Sequence, residues 1–363
     1  MAYHVKFYEK EMKIYCILFD TCRQNEKIKS FFNSNDLHYS DYITNSWTAT
    51  SLISLFSGKT PSELYHKGVG YYGTYKSILT DSEKEIWNEE MVLNCLPKDW
   101  NIHIHAMGPT RGDTKDFRFF PDEVCGIKRK VKYYEYKEGT DEESFVNEMQ
   151  SLSNEDNHFI FLKYNHYHDA LSLNDRRLKD ESIDIFLRVL ESINFEEENS
   201  LFWIFSDHGE WQNIDEHMRP PDSWLTWVSV TDNITNKKVS KDLIYMCDFK
   251  NTILNRIFSK KLPNDVLDNL VEDRIYVCED GRSVANNDDY GEEDSRHKYS
   301  TTVSAIKKVK NRFIQLSFHS PNKQSKTIFY DNSNDAIKEV ETNQKLLDFL
   351  KNGVWEWYFN YEW

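Results

Sequence analysis

The sequence lacks any apolar run long enough to span a bilayer, any paired-cysteine motif and any excess of positive charge. A helical span needs about 20 consecutive apolar residues, so no transmembrane helix is expected. The six cysteines (Cys16, Cys22, Cys95, Cys125, Cys247 and Cys278) are scattered and never fall as C-x-x-C. That excludes a dense disulfide framework or a cysteine-built zinc site and predicts reduced thiols. Residues 1–6 carry no apolar leader, so the expected location is cytoplasmic. Lysine plus arginine total 45 against 60 aspartates and glutamates, a formal charge of −15. Nucleic acid and anionic membrane surfaces are therefore excluded as default partners. An anionic substrate stays compatible with that charge where a metal ion and local cations reverse the field inside a cleft. No internal repeat is present.

The 363 residues are 39% hydrophobic and 29% charged, the balance of a globular chain with one large α/β domain or two smaller ones. Apolar runs at 13–19, 158–162 and 201–206 predict buried strands, with further strands at 102–107 and 224–230. Helices are expected at 26–32, at 50–56, near 248–258, and where Ile183, Phe186, Leu187, Leu190 and Ile193 keep helical spacing. Residues 108–139 read as a charged, loop-rich surface insertion. After about 280 the character changes: a turn-rich loop at 286–294, short antiparallel strands at 301–309, 312–318 and 326–330, then a helix over 336–350. The expected architecture is α/β. A mostly parallel sheet sandwiched by helices occupies 1–280, and a small α+β subdomain occupies 281–363.

The ends of the strands carry the chemistry, as they do in open α/β sheets. The strand at 201–206 stops at Asp207-His208-Gly209-Glu210. Carboxylate and imidazole suit a divalent cation, and Gly209 lets the backbone turn away without a clashing Cβ. The first strand stops at Asp20, and the strand at 158–162 leads to His166 and His168, of which His168 fits a site better. Thr48 stands just before a helix start, where backbone N–H groups and the helix dipole favour an anion. Taken singly, Asp-His-Gly also suits an ordinary turn and Thr48 an ordinary helix cap.

Read in order, these pieces resemble the alkaline phosphatase/sulfatase superfamily. One branch carries W-T-x-P-S-x-x-S-L-x-T-G-x-x-P; here the stretch is Trp47-Thr48-Ala49-Thr50-Ser51, then Ser54-Leu55-Phe56-Ser57-Gly58, then Pro61. Asp20-Thr21-Cys22-Arg23 resembles the D-x-x-R start, and Ser206-Asp207-His208-Gly209-Glu210 the S-D-H-G-E metal motif. Residues 159–169 resemble the strand leading to a D-P-H segment, with His168 at the family histidine. Residues 248–254 are similar to D-x-x-P-T-L, with Asn251 in place of proline. Ile328-Phe329-Tyr330-Asp331 and 335–339 are similar to L-Y-D-L…D-P-x-E.

The resemblance implies an alkaline phosphatase-like fold and a metal-dependent ester hydrolase. It implies that Asp20, Thr48, Asp207 and His208 hold one divalent cation. Mixed oxygen and nitrogen donors favour manganese or zinc, with calcium and magnesium as alternatives and a second metal left open. Thr48 would be the nucleophile, forming a phosphothreonine that water hydrolyses. His168 and His217 would hold equatorial oxygens or protonate the leaving group. Arg23, Lys59, Lys163 and Arg219 would clamp the anion.

Departures narrow the chemistry. Sulfatases need Cys or Ser, inside C-x-P-S-R, for oxidation to formylglycine, and Thr48 stands there, with Thr50 for the proline and Leu52 for the arginine. Phosphate or phosphonate esters are therefore expected ahead of sulfate esters. The sulfatases' second early aspartate is Thr21 here, which implies three protein ligands plus Thr48, as in lipoteichoic acid synthases and phosphoethanolamine transferases. The expected substrate is a small-molecule, glycan-linked or lipid-linked anionic ester. A sulfuric ester hydrolase and a phospho-group transferase are the alternatives, and a non-catalytic binding module is the reading from another class. His103 and His105 read as one sheet face rather than a zinc site, and 286–294 lacks an EF-hand's spaced ligands. The aromatic stretch 354–359 reads as a tail docked on its own chain, with association between copies as the alternative.

Overall fold

The computed structural model describes residues 11–45, 48–60, 63, 91–107, 131–135, 141–152, 156–173, 175–210, 221–239, 243–268, 274–283, 299–309, 312–319, 324–330, 336–340, 345, 348, 349 and 352. Up to residue 258 the elements are β1 (Lys13–Phe19), α1 (Glu26–Ser34), β2 (Ser40–Ile43), α2 (Thr48–Ser57), α3 (Val92–Cys95), β3 (Asn101–Met107), β4 (Val131–Glu135), α4 (Asp141–Ser151), β5 (His158–Tyr164), α5 (His166–Ser172), α6 (Arg176–Glu191), β6 (Ser200–Phe205), α7 (Pro221–Trp224), β7 (Leu225–Asp232), β8 (Leu243–Tyr245) and α8 (Asp248–Phe258). The chain continues as β9 (Tyr276–Ser283), β10 (Tyr299–Val309), β11 (Arg312–His319), β12 (Gln324–Tyr330) and β13 (Ala336–Val340).

Eight strands form one sheet in the order β4-β3-β5-β1-β6-β7-β2-β8. Only β7 runs against its neighbours; every other pairing in this sheet is parallel. The sheet is mostly parallel because its central strands are apolar on both faces, which suits a sheet covered by helices on each side. Successive side chains point to opposite faces of a strand, and the packing follows that period. Ile14, Cys16 and Leu18 of β1 join one core with Phe159, Phe161, Trp203 and Phe205, under α2 and α8. Tyr15, Ile17 and Phe19 join the other with Ile160, Leu162, Phe202 and Ile204, under α1 and α6. Trp203 and Phe161 are fully buried, each contributing roughly 1.5–3 kcal/mol or more over an exposed state. Helix α6 begins at a capping Asp175, whose carboxylate accepts from Arg177 N and Leu178 N, and buries Ile183, Phe186, Val189 and Leu190.

The second sheet is antiparallel, in the order β13-β12-β11-β10-β9. It meets the first through Trp224, which donates to Gln315 Oε1 at 3.2 Å and packs edge-on against Phe313.

Two expectations are corrected. The stretch read as loop-rich at 108–139 contains β4, paired in parallel with β3 (Ile102↔Val131). Its polar Val-Lys-Tyr-Tyr-Glu composition is that of an edge strand with one partner, so no apolar run announces it. The helix expected over 336–350 does not begin at 336. Residues 336–340 are β13, which completes the hydrogen bonding of β12 (Ile328↔Glu339), and helical backbone occurs only at 345, 348, 349 and 352 among the described residues. The loop expected at 286–294 and the aromatic tail at 354–359 lie outside the described residues.

Candidate active site

Three adjacent parallel strands, β5, β1 and β6, bring their carboxyl ends together. Asp20 follows β1 directly and its N–H bonds to Tyr164 O at the end of β5 (3.0 Å). After β6, Ser206 turns the chain: its hydroxyl accepts from Cys22 N (2.9 Å) and donates to His208 O (2.8 Å). The next residues, Asp207 and His208, meet Asp20 in a buried cluster whose ligand atoms all lie within 4.8 Å of one another. His208 Nε2 is 3.9 Å from Asp20 Oδ1 and 3.8 Å from Asp207 Oδ2.

Thr48 is the first residue of α2, delivered by the carboxyl end of β2. Its Oγ1 stands 3.2 Å from His208 Nε2, and it is buried. One contact ties this helix to the Asp207-His208 segment, and two more tie it through Asn45 to β9. Ser51 Oγ donates to Asp207 O (2.7 Å), and fully buried Asn45 donates to Ser54 Oγ (3.1 Å) while accepting from Glu279 N of β9 (2.7 Å). Thr48, the first residue of α2, thus sets the start of that helix beside the cluster, and a helix N-terminus favours an anion.

The electrostatics of the two carboxylates diverge. Burial pushes the Asp20 carboxyl up, but Lys163, His168 and His208 outweigh it and hold that group far below the usual carboxylate range. Lys163 Nζ lies 2.8 Å from Asp20 Oδ2, and both side chains are buried. Burial and the charge of Asp20 push the Asp207 carboxyl up, against weaker pulls from His208, Thr48 and Lys163. Asp207 Oδ1 accepts from Thr21 N and from His208 N, both at 3.0 Å. Its Oδ2 is buried without a hydrogen-bond partner, Thr48 standing close enough to favour its charge but outside hydrogen-bond geometry. A buried carboxylate oxygen left open beside a second carboxylate and an imidazole nitrogen is the donor set a divalent cation satisfies. His208 fits as well. Its Nδ1 is 2.8 Å from Gly209 O, an acceptor only, so in the neutral ring the proton sits on Nδ1 and Nε2 faces the cluster with its lone pair.

Lys163, taken from the sequence as an anion clamp, is instead paired with Asp20. Arg23 is half exposed, with its Nε 3.5 Å from Glu210 Oε1. Lys59 follows α2 in a turn where Ser57 Oγ bonds both its N and its O. His168 is exposed on α5 and His166 is partly buried, the former contributing to the field at Asp20. His217 and Arg219 lie outside the described residues. Sequence reasoning missed the supports. Buried Glu210 accepts from Tyr167 and meets Lys179 at 3.4 Å, and Ser51, Ser206 and Thr21 bond to Asp20, Asp207 and His208. Ser206 and Glu210 sat inside the Ser206–Glu210 motif; Tyr167 and Lys179 gave no separate signal.

No protein-family model and no curated protein matches the chain. Among solved structures, it matches a protein in the alkaline phosphatase superfamily from Vibrio parahaemolyticus, with 13% identity over 98% of this chain and 89% of that one, at a TM-score of 0.52. The fold is alkaline phosphatase-like. Further matches are the C-terminal periplasmic domain of EcEptC from Escherichia coli (10% identity, 75% of this chain, 90% of that one, TM-score 0.46) and alkaline phosphatase from the Antarctic bacterium TAB5 (12%, 69%, 99%, 0.37). The alkaline phosphatase-like assignment rests on the first of these. Among the described residues no helix is long and apolar enough to cross a membrane.

Proposed function

We propose that the protein is a metal-dependent hydrolase of phosphate or phosphonate esters with Thr48 as its nucleophile. The observation that carries this reading is the Thr48 hydroxyl, 3.2 Å from His208 Nε2 at the edge of the buried Asp20–Asp207–His208 set. A divalent cation held by those three residues and Thr48 would lower the hydroxyl's pKa and polarise the ester. The chain's own residues do the rest. The N-terminus of α2 would receive the anionic ester oxygens, and Arg23, half exposed with its Nε 3.5 Å from Glu210 Oε1, would meet one from outside. Lys163 acts through Asp20, keeping that carboxylate ionised and fixed.

Thr48 Oγ1 gives its proton to water and bonds to phosphorus, and the bond to the leaving alcohol breaks. His168 or His217 supplies the departing oxygen with a proton. Water then attacks the phosphothreonine and gives a proton to the histidine that lost one, the phosphorus–Oγ1 bond breaks, and Oγ1 takes up a proton from solvent to restore the hydroxyl. Phosphorus rather than sulfur is favoured because threonine cannot be oxidised to formylglycine. An alcohol in place of the water would make the same site a transferase, so products are assayed with and without added acceptor.

Rapid quenching during turnover of an aryl phosphodiester, followed by peptide mass spectrometry, is expected to find a phosphoryl group on Thr48. Thr48→Ala is expected to lose about a thousandfold or more in turnover with its circular dichroism intact. Wild-type turnover in that variant would overturn the proposal.

A further inference from the structure

Thr21 stands inside the cluster, in contact with Asp20, Asp207 and His208. This residue follows Asp20 at the end of β1, is buried, and has a φ of +64°. A β-branched side chain rarely occupies the left-handed region, since both Cβ substituents crowd the backbone. It persists there only where its surroundings hold it. All three of its polar contacts lie in the cluster. Its N–H donates to Asp207 Oδ1 (3.0 Å), its hydroxyl donates to Asp20 Oδ1 (2.5 Å), and its Oγ1 is 3.3 Å from His208 Nε2.

A threonine hydroxyl has one proton. Here it goes to Asp20, whose other oxygen meets Lys163 Nζ at 2.8 Å. His208 turns Nδ1 to Gly209 O at 2.8 Å, so Nε2 is the ring nitrogen that faces Thr21. Thr21 Oγ1 therefore turns its lone pairs into the cluster, 2.5 Å from Asp20 Oδ1 and 3.3 Å from His208 Nε2, close enough for all three to share one cation. Thr48, 3.2 Å from the same nitrogen, has a proton to offer it; Thr21 has none left. Electron-rich donors held this close, with the open Asp207 Oδ2 beside them, call for a cation at their centre.

We propose that Thr21 Oγ1 is itself a ligand of the cation held by Asp20, Asp207 and His208. The inference rests on that cation site and not on the role of Thr48. As a neutral donor, Thr21 leaves the ligand set with the two carboxylate charges alone, which a divalent ion balances. A further oxygen donor also moves the set toward harder ions such as manganese and magnesium.

Two measurements on the full chain test this: Mn²⁺ affinity by titration calorimetry, and the absorption spectrum with Co²⁺. Thr21→Val is expected to lose about tenfold or more in Mn²⁺ affinity, and Thr21→Ser to stay within about threefold of the wild type. Thr21→Cys loaded with Co²⁺ is expected to show thiolate-to-cobalt charge-transfer absorption absent from the wild type, a signature that a purely structural role does not produce. Unchanged Mn²⁺ affinity in a folded Thr21→Val, or Co²⁺-loaded Thr21→Cys without that absorption, would overturn the assignment. If Thr21→Val does not fold, the cysteine variant decides. Failure of the wild type to bind Mn²⁺ or Co²⁺ would bring down the cation site as well, whereas wild-type binding with an indifferent Thr21 removes only this ligand.

Discussion

Replacing Lys163 by methionine removes the positive member of the ion pair at the centre of the sheet while keeping most of its aliphatic stem. The pair is 2.8 Å long, with side chains 4% and 3% exposed. Deleting one partner of a buried pair costs about 3–5 kcal/mol, because the other charge is left uncompensated. With a urea m-value of about 3 kcal/mol per molar, the unfolding midpoint should fall by about 1–2 M. The assay is urea unfolding at pH 7 in EDTA, so that no cation takes the place of the ammonium. Asp20→Asn combined with Lys163→Met removes both charges and should recover most of the loss. The pH dependence has a definite sign. Asp20 in the folded protein is held below its unfolded value of about 3.9, so the stability it contributes is present above that pH and disappears as pH falls through the folded value. The gap between wild type and Lys163→Met should therefore be full at pH 7 and narrow below about pH 4. A loss under about 1 kcal/mol at pH 7, or a double variant no more stable than the single one, would refute this reasoning.

Chelation should lower the melting temperature, since a ligand at 100 times its Kd adds about 2.7 kcal/mol, and Asp207→Asn should abolish that response; equal melting with and without EDTA at saturating Mn²⁺ would contradict it. The buried rings of His103 and His105 are held chiefly by burial down to about 4 and about 3. Both lie below the unfolded value of about 6.5, so their contribution is complete above that pH and is lost as pH falls through the folded values. His105→Phe, which keeps a ring against Tyr134 and Phe145, should shift acid unfolding to lower pH in circular dichroism, and an unmoved midpoint would tell against it. Arg256, 4% exposed, meets Asp232 at 3.0 Å and Asp265 at 3.2 Å. Arg256→Met should cost about 3–5 kcal/mol in urea unfolding, and a loss within about 0.5 kcal/mol, the range of ordinary surface substitutions, would be the contrary result.

The central strands were legible because burial on both faces leaves no polar alternation to confuse the reading. β1 and β6 are apolar after their first residue and β5 is apolar from Phe159 to Leu162, and the ends of β1 and β6 mark Asp20 and Asp207. Shorter strands were not. β2 has four residues and β8 three, too few for any period to register, and both gain their stability from pairing with each other and, for β2, with β7. β13 was read as helix because Ala-Ile-Lys-Glu-Val is compatible with either state, and the partner that decides it, β12, is a tertiary fact. At the site, residue types named the candidate ligands, and the fold brings Asp20, Thr48, Asp207 and His208 together. The pairing of Lys163 with Asp20 and the left-handed backbone at Thr21 could not be read, because both depend on the register of β1 against β5 and β6.

The most direct test of the central claim is an anomalous difference map from crystals grown with Mn²⁺. The account predicts one strong peak in bonding contact with Asp207 Oδ2, His208 Nε2 and a carboxylate oxygen of Asp20, beside the Thr48 hydroxyl. A peak elsewhere, or none at saturating Mn²⁺, would contradict it.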